Sequence, residues 1–121
     1  MPNHTSRQYF DHERLDAYRL ARRAVQLVHA LKPKLRGLPG GAAGQLERAV
    51  VGAHSNLCSG AAARGAEKRR QLSIAYTEAS EAGGALDLPF DLGAITAAEY
   101  GELRGVLLRL CQCLAGLIGT A

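Results

Sequence analysis

The segment from Gln45 to Gly60 constrains the fold of this chain more than any other part of the sequence. Its apolar residues recur at gaps of three and four, the period of a helix with one buried face. A second row on the same segment holds only small or short residues, Ala49, Gly52, Asn56 and Gly60. Because glycine inside a helix costs about 1 kcal/mol relative to alanine, this row requires a compensating contact. We expect a neighbouring helix to approach closely here, with Asn56 donating its amide to that neighbour. The alternative is a weak helix in which the glycines mark only low stability and a C-terminal cap.

Three other segments carry the same periodicity, so the sequence predicts four helices. The expected helices are at about 11–32, 42–63, 66–88 and 97–118. Asp11 is the expected N-cap of the first helix, and Pro33 is expected to end it. We expect the third helix to stop or bend before Pro89, because proline inside a helix costs on the order of 3 kcal/mol. Thr96 and Glu99 have the spacing of a capping box at the start of the fourth.

Composition favours packed helices over a sheet. Of the 121 residues, 47% are hydrophobic but only 5% are aromatic, and tryptophan is absent. A core of Leu, Ala and Val suits closely packed helices, and short connections make consecutive helices antiparallel. The sequence therefore predicts an all-α fold, an antiparallel up-down-up-down four-helix bundle. We expect one domain over residues 10–121, preceded by a flexible segment 1–9.

The sequence also bears on location. It has no apolar run of about eighteen residues, so we expect no membrane-spanning helix and no membrane partner. The first residues are polar and lack the hydrophobic region of a signal peptide. The three cysteines, Cys58, Cys111 and Cys113, are expected to be reduced thiols packed as small hydrophobes. Together these features predict a cytoplasmic protein.

Several motifs are shared with a known family. They are Gln45-Leu46, Arg48-Ala49, Val51, Asn56, Leu57 and Gly60 in the central segment, Leu15, Tyr18 and Ala21 before it, and Leu72 to Ala75, Glu81 and Asp91 to Gly93 after it. This set resembles the small four-helix-bundle family first noticed in intervening sequences of bacterial large-subunit (23S) ribosomal RNA genes. More distantly it is similar to the accessory subunit of diversity-generating retroelement reverse transcriptases. The chain departs from the family pattern at His54, Ser59 and Pro89.

The resemblance implies a fold and an assembly. Members of the family are four-helix bundles that form barrel-like homopentamers, so we expect a homo-oligomer. The resemblance also implies association with RNA or with an enzyme that acts on nucleic acid. We expect apolar surface on the first and last helices beyond what one bundle core needs, which is typical of a surface that binds a partner.

Basic residues gather at one predicted end of the bundle, within a net charge of +4. The candidate RNA-contacting residues are Arg14, Arg64, Lys68, Arg69 and Arg70. Positive charge is the chemistry that holds phosphate, and it gives little sequence preference. A solvated helix start is the alternative interpretation of the same run. No recognition helix, zinc module or aromatic stacking platform is visible in the sequence.

The patterns of catalytic and metal sites are weak or incomplete. His54 and Cys58 lie four apart on one helical face, but two ligands do not make a metal site. Glu78 and Glu81 lack the Glu-x-x-His partners of di-iron bundles. We expect Glu81 instead to accept a hydrogen bond from Arg48 or Asn56 between helices. No nucleotide motif or nucleophile arrangement is present, so we expect no enzyme activity, cofactor, metal or small-molecule substrate.

Two classes of function remain open. The first is an oligomeric accessory or adaptor protein that associates with RNA. The second is a protein–protein interaction scaffold that binds no nucleic acid. The salt dependence of RNA binding distinguishes them, because phosphate contacts weaken steeply as salt rises.

Overall fold

A computed structural model describes residues 8–121, and the secondary structure in that range is helical. The four long helices are α1 (Asp16–Leu35), α2 (Ala42–Ala62), α3 (Gly65–Ala85) and α5 (Ala97–Gly119), and the five-residue α4 (Asp87–Asp91) lies between the last two. Short 3-10 turns precede α1 and α2, at Asp11–Arg14 and Pro39–Gly41. The all-α prediction is confirmed. Most of the predicted flexible segment 1–9 lies outside the described residues.

The long helices pack in a closed order around a shared core. α1 contacts α2 and α5, and α3 contacts the same two helices. The fully buried large side chains are mostly leucines from all four helices, namely Leu35, Leu46, Leu57, Leu72, Leu103, Leu110 and Leu114. Alanines fill the closest approaches between them, including Ala21, Ala53, Ala75 and Ala79. In this order the groove between α1 and α2 lies on the opposite side from the groove between α3 and α5.

The predicted ends of the first helix are wrong at both termini. Asp11 is not an N-cap, because a 3-10 turn runs from Asp11 to Arg14 and extended Leu15 separates it from α1. Pro33 lies inside α1, which continues to Leu35. The proline removes one backbone hydrogen bond near the helix end, where the freed carbonyl of exposed His29 can reach water. Leu35 is only 1% exposed, and burying it in the core offsets that loss.

The third predicted helix stops before Pro89, as expected, and the chain then forms α4. α3 ends at Ala85, and Pro89 is the third residue of α4. At that position the backbone N–H would have no partner within the helix, so proline removes nothing. The Pro89 ring is fully buried, and this burial stabilises the fold.

The second and fourth predicted helices agree with α2 and α5 to within one residue. The capping box is confirmed, since Thr96 Oγ1 accepts from the Glu99 backbone N–H at 3.1 Å and Glu99 Oε1 accepts from the Thr96 N–H at 2.8 Å. Gly65 is the first residue of α3, with a φ of +59° after extended Ala63 and Arg64.

The predicted apolar surplus on the first helix is wrong. In α1, Ala24 and Leu31 are buried and Leu20 and Leu27 pack half-buried against the core. The wide apolar arc of α1 is used inside the bundle, because this helix packs against two neighbours. The large apolar side chains exposed within residues 8–121 are Tyr9, Phe10, Val51, Tyr76, Leu88, Phe90, Leu92 and Leu108.

Candidate functional site

The predicted basic residues lie close together at one end of the helices. Arg14 and Lys68 line a small cleft of about 80 Å³ that Leu72 and Leu117 also line. Arg69, in the second turn of α3, donates to the backbone oxygen of Ala121 at 3.5 Å. This end therefore joins the start of α3, the turn before α1 and the end of the chain.

Lys68 and Arg70, like Arg69, have hydrogen-bond partners within the chain. Lys68 Nζ donates to the carbonyl oxygens of Gly60 and Ala61, each at 3.2 Å, in the last turn of α2. A lysine placed there satisfies carbonyls that the helix leaves unpaired. Arg70 pairs with Glu67 at 3.2 Å. Arg14, Arg64, Arg69 and Arg70 are exposed, whereas Lys68 is half-buried against the end of α2.

The close approach predicted for the small-residue row occurs between α2 and α3. A Cβ atom on Gly60 would lie 2.8 Å from Leu72 Cδ2 and 3.2 Å from the Leu72 backbone nitrogen. A Cβ atom on Gly52 would lie 2.8 Å from Glu78 Oε2. A side chain at Gly60 would therefore clash with both the side chain and the backbone of Leu72. A side chain at Gly52 would meet only the flexible side chain of Glu78.

The predicted network between these helices is absent from the described residues. Asn56 Nδ2 donates to the Gly52 carbonyl of its own helix at 2.8 Å, so the expected bond to a neighbouring helix is wrong. Glu81 and Arg48 are exposed and line a shared groove between α2 and α3, but no hydrogen bond or ion pair joins them. In water two such side chains retain their hydration at little cost, which is why the contact is not required.

His54 and Cys58 lie one helical turn apart on α2, and both side chains are half-buried. Burial lowers the pKa of His54, and His12 and Arg22 nearby lower it further. Burial raises the pKa of the Cys58 thiol, which makes its nucleophilic thiolate scarcer. Within residues 8–121, no group of three or more His, Cys, Asp or Glu side chains is placed to hold a metal ion.

A row of aromatic rings, which we call the aromatic row, joins the first turn to α1 and α2. Phe10 and His12 stack at 5.6 Å, His12 meets Tyr18 at 4.6 Å, and Tyr18 meets His54 at 5.6 Å between ring centroids. This row is not visible in the sequence, because His54 lies 36 residues beyond Tyr18. The one local signal was the sequence Tyr9-Phe10-Asp11-His12, an aromatic cluster in a chain with few aromatic residues.

A groove of about 390 Å³ runs between α3 and α5. Exposed Tyr76 and Leu108 line it, and it extends to Asp87 and Tyr100 near α4. Tyr100 donates its hydroxyl to Asp87 Oδ1 at 2.8 Å, and this bond raises the pKa of the tyrosine. Its ring stacks on Phe90 at 4.3 Å. These contacts hold α4 against α5, and Asp87 and Tyr100 form one end of the groove.

A second groove, of about 280 Å³, lies between α1 and α2 on the opposite side. Half-buried Val25 and exposed Val51 supply most of its apolar surface, and His29 and Glu47 stand at its edge. Glu47 pairs with Lys32 at 3.0 Å, so its charge is already balanced. The molecule thus carries apolar side chains on two opposite faces.

Neither a scan of the chain against protein-family models nor a search of curated proteins finds a match. The family resemblance therefore rests on the shared motif residues alone. None of the helices between residues 8 and 121 combines the length and the hydropathy that crossing a membrane requires.

Proposed function

We propose that this protein is a non-enzymatic helical module that assembles with copies of itself into a closed oligomer. The observation that carries the proposal is the presence of apolar grooves on opposite faces, with Leu108 and Tyr76 on one and Val51 on the other, all at least 39% exposed. Apolar side chains left in water in such patches are typical of surfaces that a partner covers. The α3–α5 groove of one copy would receive the Val51 face of the next.

This geometry is compatible with a ring. When two different faces of each copy meet head to tail, the contact repeats from copy to copy, and it forms a ring where the rotation between copies closes. The resemblance to the intervening-sequence family implies five copies, which agrees with a head-to-tail contact and not with a two-fold dimer. Membership of that family is part of the proposal.

We infer an antiparallel up-down-up-down arrangement from contacts between helix ends. Lys34, near the end of α1, donates to Glu99 in the first turn of α5 at 2.7 Å. Lys32, also near the end of α1, pairs with Glu47 in the first half of α2. Arg69, early in α3, reaches Ala121 just beyond α5. Each pair joins the end of one helix to the start of another, as antiparallel neighbours do.

The titratable groups with displaced pKa values support a non-enzymatic role. His54 and Cys58 lie together on α2, whereas Glu99 and Tyr100 lie near the start of α5. Active sites place such groups together in one cleft, facing a place for substrate. Here each shift follows from burial, from nearby charges or from structural hydrogen bonds, such as those that Lys34 and Thr96 donate to Glu99.

Assembly is tested by light scattering coupled to size exclusion. We expect a mass several times the 12.8 kDa of one chain at micromolar concentration, with about five chains as the resemblance implies. A monodisperse monomer would contradict the proposal.

RNA association is a second candidate function, favoured by exposed Arg64 and Arg69 near the start of α3, at the end where Arg14 and Lys68 line a cleft. A ring would repeat these exposed cations around one opening, and each phosphate contact adds about 0.7 to the salt slope on single strands. We expect Arg64→Gln to flatten that slope while Arg36→Gln, at the end of α1, leaves it unchanged. Lys68 is kept in both variants because it caps α2. No binding at low salt would leave the protein–protein scaffold as the function.

A further inference from the structure

The aromatic row lies partly in solvent, which is unusual for rings that serve only as packing. Phe10 is 71% exposed and is the most exposed large apolar side chain within residues 8–121. It stacks on His12 with an angle of 6° between the ring planes, so its outer face is open. Burial of a phenylalanine normally stabilises a fold, and here that stabilisation is not used. A flat apolar face held in solvent by a second ring is suited to a flat ligand.

Arg22 lies over Tyr18 of the aromatic row, and Arg14 lies over Tyr9, which precedes Phe10 in the chain. The Arg14 guanidinium lies 5.4 Å from the centroid of the Tyr9 ring, and that of Arg22 lies 5.6 Å from the centroid of Tyr18. A guanidinium held over a ring keeps its N–H groups at the edge, where they can donate to phosphate oxygens. The two cations therefore mark a possible path for a phosphate backbone beside the rings.

The acidic residues near the row are engaged elsewhere. Glu13 Oε1 accepts from the Phe10 backbone N–H at 2.6 Å and so fixes the turn that carries the ring. Asp16 pairs with Arg19 at 2.7 Å. Asp11 lies in the cleft that Arg14 and Lys68 line. Glu13 and Asp16 therefore bond to Phe10 and Arg19, and Arg22 lies over the ring of Tyr18 in the aromatic row.

His54 extends the row as an uncharged ring. Its environment favours the neutral form, because burial, His12 and Arg22 all lower its pKa. A neutral imidazole stacks without adding to the positive charge around it. The permanent positive charge near the row therefore comes from the arginines, and the flat surface comes from the rings of Phe10, His12, Tyr18 and His54.

We propose that the aromatic row binds a single-stranded nucleic acid, with a base stacked on Phe10 and phosphates held by Arg14 and Arg22. Stacking rings beside cations is the recognition chemistry that single strands use, and it tolerates many sequences. A duplex offers no free base face, because its bases already stack on one another. This inference rests on RNA association, the second candidate function, and adds to it the class of strand and the groups that bind it.

The test uses the full chain with Phe10→Trp, because the natural sequence has no tryptophan. Its emission should be quenched as an oligouridylate of about 12 nucleotides is added, since a base stacks directly on the new ring. Leu92→Trp, at an exposed side chain just beyond α4, is the matched control and should not be quenched. Inorganic polyphosphate should leave both emissions unchanged. A deoxyuridine oligonucleotide of the same length measures whether the ribose hydroxyl adds to binding.

A second variant measures the contribution of the ring to affinity. Phe10→Leu keeps an apolar side chain but removes the flat face, so single-strand binding measured by fluorescence anisotropy should weaken by about 5- to 150-fold. Because Phe10 is exposed, helix content and melting temperature should stay close to those of the natural chain.

The outcomes separate this inference from RNA association itself. Quenching of Phe10→Trp with weakened binding of Phe10→Leu supports the stacking site. Salt-sensitive binding of single strand and duplex alike, with no quenching and no effect of Phe10→Leu, overturns the stacking site but leaves RNA association standing. Absence of binding by any of these probes at low salt overturns both.

Discussion

His54 stands where the first turn, α1 and α2 meet, and its ionisation is coupled to that junction. Tyr18 covers one side of the imidazole, and His12 and Arg22 from the first turn and α1 add positive charge near it. Protonating His54 therefore costs more in the folded chain than in the unfolded chain. A neutral His54 is part of the stable fold.

We expect acid to destabilise the fold through this residue. With a folded pKa below the unfolded value of 6.5, the unfolded chain binds the proton first. The contribution to stability is therefore complete above about pH 6.5 and is lost as the pH falls through the lower, folded pKa. Melting temperatures measured between about pH 7.5 and pH 5 should fall less steeply in His54→Gln than in the natural chain.

Glu99 serves as an internal reference for that experiment. The hydrogen bond from Lys34 is the main cause that lowers the pKa of Glu99, so its contribution is lost only as the pH falls below its unfolded value of 4.5. The stability lost through His54 and the stability lost through Glu99 therefore fall in separate pH ranges. Equal pH dependence of the two proteins above pH 5 would show that His54 is not the group responsible.

The contact between α2 and α3 depends on one glycine more than on the other. At Gly60 an added methyl group meets both the side chain and the backbone of buried Leu72. At Gly52 it meets only the carboxyl end of Glu78, which can swing towards solvent. The sequence pattern treated the two positions alike, because it shows which residues are small but not what faces them.

We expect Gly60→Ala to lower the free energy of unfolding by about 1 to 3 kcal/mol through overpacking. Gly52→Ala should change it by less than about 1 kcal/mol, because the better helix propensity of alanine offsets the displacement of Glu78. Gly101→Ala is the control, since nothing lies within 4 Å of its Cβ position in α5, and it should raise stability by up to about 1 kcal/mol. Urea unfolding measures all three. Equal effects at Gly60 and Gly101 would remove the close-approach explanation.

At the scale of elements, periodicity and capping were enough to predict α2 and α5. Both helices have a strict apolar stripe, and Thr96 with Glu99 fixes the start of α5. Helix ends near Pro33 and Pro89 were harder, because the cost of proline depends on whether its missing N–H would have had a partner. The hydrogen-bond partner of the Asn56 side chain could not be predicted either. The Gly52 carbonyl, four residues back in the same helix, competes with acceptors on a neighbouring helix.

At the scale of the whole molecule, the sequence predicted which residues are basic but not which are free. Lys68 and Arg70 are predicted to contact RNA, and both also bond within the chain, Lys68 to carbonyls of α2 and Arg70 to Glu67. The aromatic row and the opposed grooves depend on side chains distant in sequence, such as Tyr18 with His54 and Tyr76 with Leu108. No local pattern could bring these pairs together.

Head-to-tail assembly through the two grooves is tested most directly by mixing two variants. Leu108→Glu charges the α3–α5 groove and Val51→Glu charges the opposite face, at side chains that are each 45% exposed. Gln112→Glu adds the same charge to the α1–α5 face and should leave the natural assembly intact. Since the altered side chains are exposed, the individual bundles should still fold.

The measurement is the mass of the equimolar mixture by light scattering. We expect each variant alone to be a monomer and the mixture to form a dimer, because one copy keeps an intact α3–α5 groove and the other keeps an intact Val51 face. Disruption by Leu108→Glu alone, with Val51→Glu retaining the mass of the natural protein, would contradict head-to-tail assembly.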